Sequence, residues 1–190
     1  MLEDPSSEPS SRGRLSAWLQ ERLFGRRIVL VTGWLDDTIA AQTAAELMTL
    51  DATGDEPVEL HLDSPDGILE AAFVLIDTLD LLHATVRVHC RGRVGGPAIG
   101  VLAAADHRSA LPHTRFQLAQ PTAHLTGTPS QIASRSQQQQ DLLWRLQARL
   151  AQVTGRPSEE IADDMRRGRY LDAREALEYG LIDAISTTAP

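Results

Sequence analysis

The stretch Val86–Leu102, VRVHCRGRVGGPAIGVL, restricts the fold more than any other part of the chain. Val86, Val88 and Cys90 alternate with Arg87, His89 and Arg91, the period of a strand with one buried face. A glycine-rich turn, Arg91–Gly96, follows, and a helix of small residues starts at Pro97, a residue suited to a first helical turn. Strand, sharp turn and helix is the arrangement in which α/β hydrolytic enzymes hold a nucleophile above a sheet. That seat falls near Gly96, and no nucleophilic side chain stands there.

The same alternation runs through the first half of the chain. Leu15–Phe24 has Leu15, Trp18, Leu19 and Leu23 at helical spacing, and Arg27–Gly33 reads as a strand ending in glycine. Asp36 or Asp37 caps a helix to about Leu50. Val58–Leu62 is a second strand, closed by the turn Asp63-Ser64-Pro65-Asp66-Gly67, and a helix covers Ile68–Leu82. Strands joined through helices by short loops predict stacked βαβ units around a parallel sheet with right-handed crossovers. Short strands are expected at Ser109–Leu111 and Arg115–Leu118, and an irregular hairpin at Pro121–Thr128.

A long helix is expected over Ser130–Val153. Its second half carries Leu143, Leu146, Leu150 and Val153 on one stripe, and its first half is polar almost all round. Ser158 is read as the cap of a helix to Arg167, Asp172–Tyr179 as a last helix stopped by Gly180, and Leu181–Ile185 as a final strand. Residues 1–13, polar and proline-bearing, are expected to be disordered, and 187–190 to be a loose tail. One domain, 14–186, remains.

The net charge of −8 argues against nucleic acid or an anionic membrane as partner. The N-terminus lacks the basic start and apolar run of a signal peptide, and the uncharged stretch Val94–Ala105 is too short to span a bilayer, so the cytosol is the expected compartment. The single cysteine, Cys90, lies on the buried phase of its strand and reads as a core thiol. The turn Gly92–Gly96 has neither a following Lys-Ser/Thr nor a dinucleotide-binding glycine register, and the six histidines show no metal-ligand spacing, so no cofactor or metal is implied. The arginines at 166, 167 and 169 read as a solvated helix end or a subunit contact.

Several motifs are shared with one family. Leu62-Asp63-Ser64-Pro65-Asp66-Gly67 is similar to a strand followed by Asn-Ser-Pro-Gly-Gly, and Ile76-Asp77-Thr78-Leu79 to Tyr-Asp-Thr-Met. Ala110–Arg115 is similar to Ala-Leu-Pro-Asn/His-Ala-Arg, and Gln120-Pro121 to the pair that follows a catalytic histidine. Thr154–Pro157 and Glu175–Asp183 match almost residue for residue. On these motifs the chain from Arg27 to Ile185 resembles the proteolytic subunit of the Clp protease, ClpP. The resemblance implies a ClpP/crotonase-like α/β fold, with Ser130–Val153 as the handle helix that joins two rings.

It also implies where a Ser-His-Asp triad would lie, and none of the three residues is present. The serine position is Gly96, the histidine position Ala119 and the aspartate position Gly168. Two backbone N–H groups, at positions 67 and 97, would form the oxyanion hole. Gly67 retains its donor beside a carboxylate at Asp66, and Pro97 has none. Positions aligned with the aromatic pocket for an ATPase docking loop hold Glu59 and His61, a poor seat for an apolar anchor.

The expected function is therefore a catalytically inactive, structural or regulatory subunit of ClpP-like rings, either homo-oligomeric or mixed with active paralogues, with a AAA+ Clp ATPase as possible partner. One alternative is a serine endopeptidase with a relocated nucleophile, Ser64 or Ser109, using His113 or His124 as base. The other is a diverged crotonase-like binding scaffold.

Overall fold

In a computed structural model, residues 17–122 and 126–186 of the chain are described. The sequence expectations for 1–13, 187–190 and His124 fall outside these residues.

The body is a five-stranded parallel sheet of β1 (Ile28–Thr32), β2 (Val58–Asp63), β3 (Val86–Cys90), β5 (His107–Ala110) and β8 (Ala184–Ile185), in the order β1-β2-β3-β5-β8. Its buried face is the alternate set Val29, Val31, Val58, Leu60, Leu62, Val86, Val88 and Cys90. Against this lie α2 (Asp37–Thr53), α3 (Leu69–Leu81) and α4 (Ala98–Ala103), every residue of α4 being buried. Short α1 (Ala17–Phe24) precedes β1. Asp36 is the cap of α2: its carboxylate accepts from the Ile39 N–H at 2.9 Å. Burial pushes the Cys90 thiol well above the ordinary range, as a core thiol requires.

A second, three-stranded sheet was not expected. It contains β4 (Arg93–Gly95), β6 (Arg115–Leu118) and β7 (Arg169–Asp172), with β4 and β6 parallel and β6 and β7 antiparallel. The stretch Arg91–Gly96, read from sequence as turn alone, therefore contains a short strand. β6 falls on the strand expected at Arg115–Leu118; β4 and β7, three and four residues long, are too short for a two-residue period to stand out, and partners distant in sequence stabilise them.

Helix α5 (Pro129–Thr154) has the expected two halves: Leu146 and Leu150 are buried, Leu143 and Val153 pack on the core, and Ile132–Arg135 is exposed. A capping box at Thr128 and Gln131 starts it. Leu146 sits over Gly100 of α4, where a methyl group on Gly100 would come within 2.5 Å of the Leu146 Cδ1 atom. Two expectations are corrected at the C-terminal end. Pro157, not Ser158, is the N-cap of α6 (Ser158–Arg167), since its fixed backbone leads the helix in without a side-chain cap. The final strand is two residues, not five, because Gly180–Asp183 turns to bring the chain back to β5.

Besides the β5–β8 pairing, an ion pair ties the end of helix α7 (Ala173–Tyr179) and the turn before β8 to β5. The Arg108 N–H donates to Asp183 Oδ2 at 2.8 Å, its side chain pairs with both oxygens, and the Asp183 N–H donates back to the Arg108 carbonyl at 2.8 Å. Burial by itself would raise the Asp183 pKa, but these hydrogen bonds and the arginine charge outweigh it and hold the carboxyl below its usual range.

Two outcomes are expected in urea melts. Leu146→Ala loses about 2–5 kcal/mol through a cavity between α4 and α5, whereas Trp144→Ala on the exposed side of the same helix changes stability by less than about 0.5 kcal/mol. Asp183 has a native pKa below that of the unfolded chain, so its contribution is complete above the unfolded value of about 4 and is lost as the pH falls through the native one. The stability difference between the natural chain and Asp183→Asn is therefore largest near neutrality and shrinks below about pH 4.

Candidate functional site

The turn after β2 fixes the glycine segment after β3. The Asp63 carboxylate accepts from the Arg93 N–H at 3.0 Å, the Ser64 carbonyl from the Gly95 N–H at 2.9 Å, and the Leu62 carbonyl from the Arg91 N–H at 3.0 Å. Gly95 runs so close to the Pro65 carbonyl that a side chain there would collide with backbone. Gly96 then takes φ 51° and Pro97 enters α4 with φ −63° and ψ −26°. Only glycine adopts that left-handed turn without cost.

The small sheet gathers the three candidate positions. Gly95 stands beside Gln117 in the β4–β6 pairing, and the Gly96 N–H donates to the Gln117 carbonyl at 3.2 Å. In the β6–β7 pairing Leu118 stands opposite Arg169, the last pair of that ladder, and Ala119 and Gly168 are the residues just beyond it on the two strands. Gly96, Ala119 and Gly168, far apart in the chain, thus lie at one end of one sheet. None has a side chain that can attack a carbonyl or move a proton.

Above Gly96 lies Asp66. Its Oδ1 accepts the Gly67 N–H at 2.8 Å, and the same oxygen occupies the space that a Cβ on Gly96 would need. The oxyanion donor that the sequence left at Gly67 is thus already engaged by a carboxylate, which would also repel a developing negative charge. Ser64 is wholly buried and its hydroxyl donates to the Asp66 carbonyl at 3.2 Å, so it serves the turn and is closed to substrate.

The corner behind Gly168 is held by a buried network. Asp164, 6% exposed, accepts from the Tyr179 hydroxyl at 2.9 Å and from Arg169 Nη1 at 3.0 Å, and the Arg156 guanidinium lies 4.0 Å from the Tyr179 ring centroid. Burial and then the Asp164 hydrogen bond push the Tyr179 pKa up, so this hydroxyl remains a donor at physiological pH. At the helix end, Arg166 pairs with Asp163 at 2.5 Å, both side chains being largely exposed.

Glu59 and His61 lie elsewhere, on the half-exposed face of β2. Glu59 pairs with His89 and stands 3.5 Å from Arg87, and the His61 and His89 rings are 5.4 Å apart. The polar phases of these strands thus meet one another as well as solvent. Ser109 hydrogen-bonds to His89, not to His113. No cluster of three or more His, Cys, Asp or Glu capable of holding a metal occurs among the described residues. None of the described helices is long and apolar enough to cross a membrane.

A mainly parallel α/β body whose strand-turn-helix elbow meets a small second sheet defines a protein of the ClpP-like class. The family model described as Clp protease matches residues 11–189. The chain belongs to the Clp protease family.

A serine at the elbow has to overcome both the backbone and Asp66. Gly96→Ser is expected to cost about 1–2 kcal/mol for a left-handed non-glycine residue, more while Asp66 is present. In a double-mutant cycle measured by urea melts, Asp66→Gly relieves part of that loss, with a coupling of about 0.5–3 kcal/mol.

Proposed function

We propose that this chain is a catalytically silent subunit of a ring-shaped Clp protease complex. One observation carries the reading: at the elbow, glycine replaces a nucleophile, the Asp66 carboxylate fills the space above it, and proline removes the next N–H. Its neighbours Ala119 and Gly168 complete a triad position by position without any group able to act as base or orienter. Loss of one oxyanion donor alone typically costs about 10²–10³ in rate. Here nucleophile, base and a donor are missing together.

The rest of the chain supports a structural role. Helix α5 projects a polar, exposed first half, the character of a helix that pairs with another chain. Members of the family form rings with Clp ATPases, and this chain would contribute to such a ring alone or beside active paralogues. The Glu59–His89–Arg87 network makes the aligned docking face polar, so an ATPase loop with an apolar anchor would gain little there. The role is then to shape the chamber or to lower the number of docking seats per ring.

The purified chain is expected to leave fluorogenic peptides uncut. Restoring Gly96→Ser, Ala119→His and Gly168→Asp together is expected to remain silent while Pro97 and Asp66 are present. Peptide cleavage by the natural chain that persists after removal of contaminating peptidases would overturn the proposal. Native mass spectrometry tests the assembly: heptamers or tetradecamers, alone or with an active paralogue, support it, and a monomer or trimer in both settings opposes it.

A further inference from the structure

Three side chains on the half-exposed sheet face form an arrangement that the elbow lacks. Glu59 on β2, His89 on β3 and Ser109 on β5 come from neighbouring parallel strands, His89 lying directly beside Ser109 in the register. His89 Nε2 contacts Glu59 Oε2, and His89 Nδ1 lies 2.7 Å from Ser109 Oγ.

The partners determine the protons. An ionised carboxylate can only accept, so in the neutral imidazole the Nε2 atom of His89 carries the hydrogen toward Glu59, and that tautomer leaves Nδ1 as the acceptor. Ser109 has a single hydroxyl proton and two candidate acceptors, His89 Nδ1 at 2.7 Å and the Val88 carbonyl at 3.3 Å. The shorter contact takes the proton. A hydroxyl donating to an imidazole, itself held by a carboxylate, is the nucleophile–base–orienter relation of a serine hydrolase. Arg87, 3.5 Å from Glu59 Oε1, steadies the second carboxylate oxygen. The His89 and Glu59 side chains are 20% and 22% exposed, and Ser109 is half-buried. His61, packed beside His89, has its pKa lowered, first of all by burial, so it adds no standing cation to the cluster.

We infer that Ser109, with His89 as general base and Glu59 as its positioning residue, is an activated hydroxyl that takes acyl groups from small, reactive esters. In the first step the Ser109 oxygen bonds to the ester carbonyl carbon while its proton passes to His89 Nδ1. The bond to the leaving aryloxide breaks, and that oxygen takes the proton from His89. Water then adds to the acyl carbon, giving its proton to His89, which returns it to the departing Ser109 oxygen.

Magnitudes limit the substrate. β5 lies between β3 and β8, so the ladders on both sides engage its backbone N–H groups. General-base assistance is worth about 10²–10⁴, and the missing oxyanion donors forgo about 10²–10³ each. That suffices for activated aryl esters and phosphonofluoridates, where the leaving group is good, and not for a peptide bond. This site is separate from the elbow, so silence toward peptides and reactivity at Ser109 stand or fall independently.

The test treats the natural chain with p-nitrophenyl acetate and, separately, with a fluorophosphonate, and maps the adduct by tandem mass spectrometry. An adduct on Ser109 is expected, and it needs no variant to be seen. His89→Ala is expected to slow its formation at least tenfold, with free imidazole restoring part of the rate. Glu59→Gln is expected to lower the maximal acylation rate while the half-saturating reagent concentration holds, which a merely unfolded site would not do. No adduct on Ser109 in the natural chain, or an unchanged rate in a folded His89→Ala protein, would overturn the inference.

Discussion

The structure depends on the way the Asp63–Gly67 turn grips the glycine segment that follows β3. Three acceptors from the end of β2 and its turn, the Leu62 and Ser64 carbonyls and the Asp63 carboxylate, bind the N–H groups of Arg91, Gly95 and Arg93. These bonds carry the chain out of the large sheet and start the small one at β4. Backbone donors leaving one sheet need new partners, and here these come from a turn thirty residues away in the chain, as the Asp63–Arg93 separation records. Gly95 has to remain without a side chain for that approach to close.

The same grip explains how the elbow keeps its shape with glycine at its tip. Glycine at 96 accepts the turn, proline at 97 begins the helix, and Asp66 folds back onto the Gly67 N–H. Each is locally favourable: glycine takes the left-handed turn without strain, the Gly67 N–H has a partner, and the helix is entered by a residue that needs no N–H. A nucleophile seat is costly because it holds a side chain on a strained turn beside unpaired donors. Here those costs are absent.

The alternation of strand and helix through residue 90 and the two-faced α5 were legible because each is a long run with a clear period and strong stop signals. The Asp36-Asp37 pair announced the start of α2, where Asp36 proved to be the cap, and Gly180 announced the stop of α7. The strands β4 and β7 were not legible, since three or four residues carry no readable period and both depend on β6. Motif resemblance named Gly96, Ala119 and Gly168, and the register of the small sheet was needed to bring them to one end. The Glu59–His89–Ser109 cluster escaped sequence reading because its members are separated by thirty and twenty residues. The available signal was that all three occupy the polar phase of strands expected to be parallel, but register alone decides which of them touch.

The sequence by itself determined the class of fold, the buried faces and the lack of a nucleophile at the elbow. These follow from local period, from turn chemistry and from which side chains are present. Tertiary structure decided where the Asp66 carboxylate sits, that a second sheet exists, and which histidine meets Ser109. Those are contacts between residues remote in the chain, and their geometry is set by strand register and by the space a neighbouring backbone leaves open.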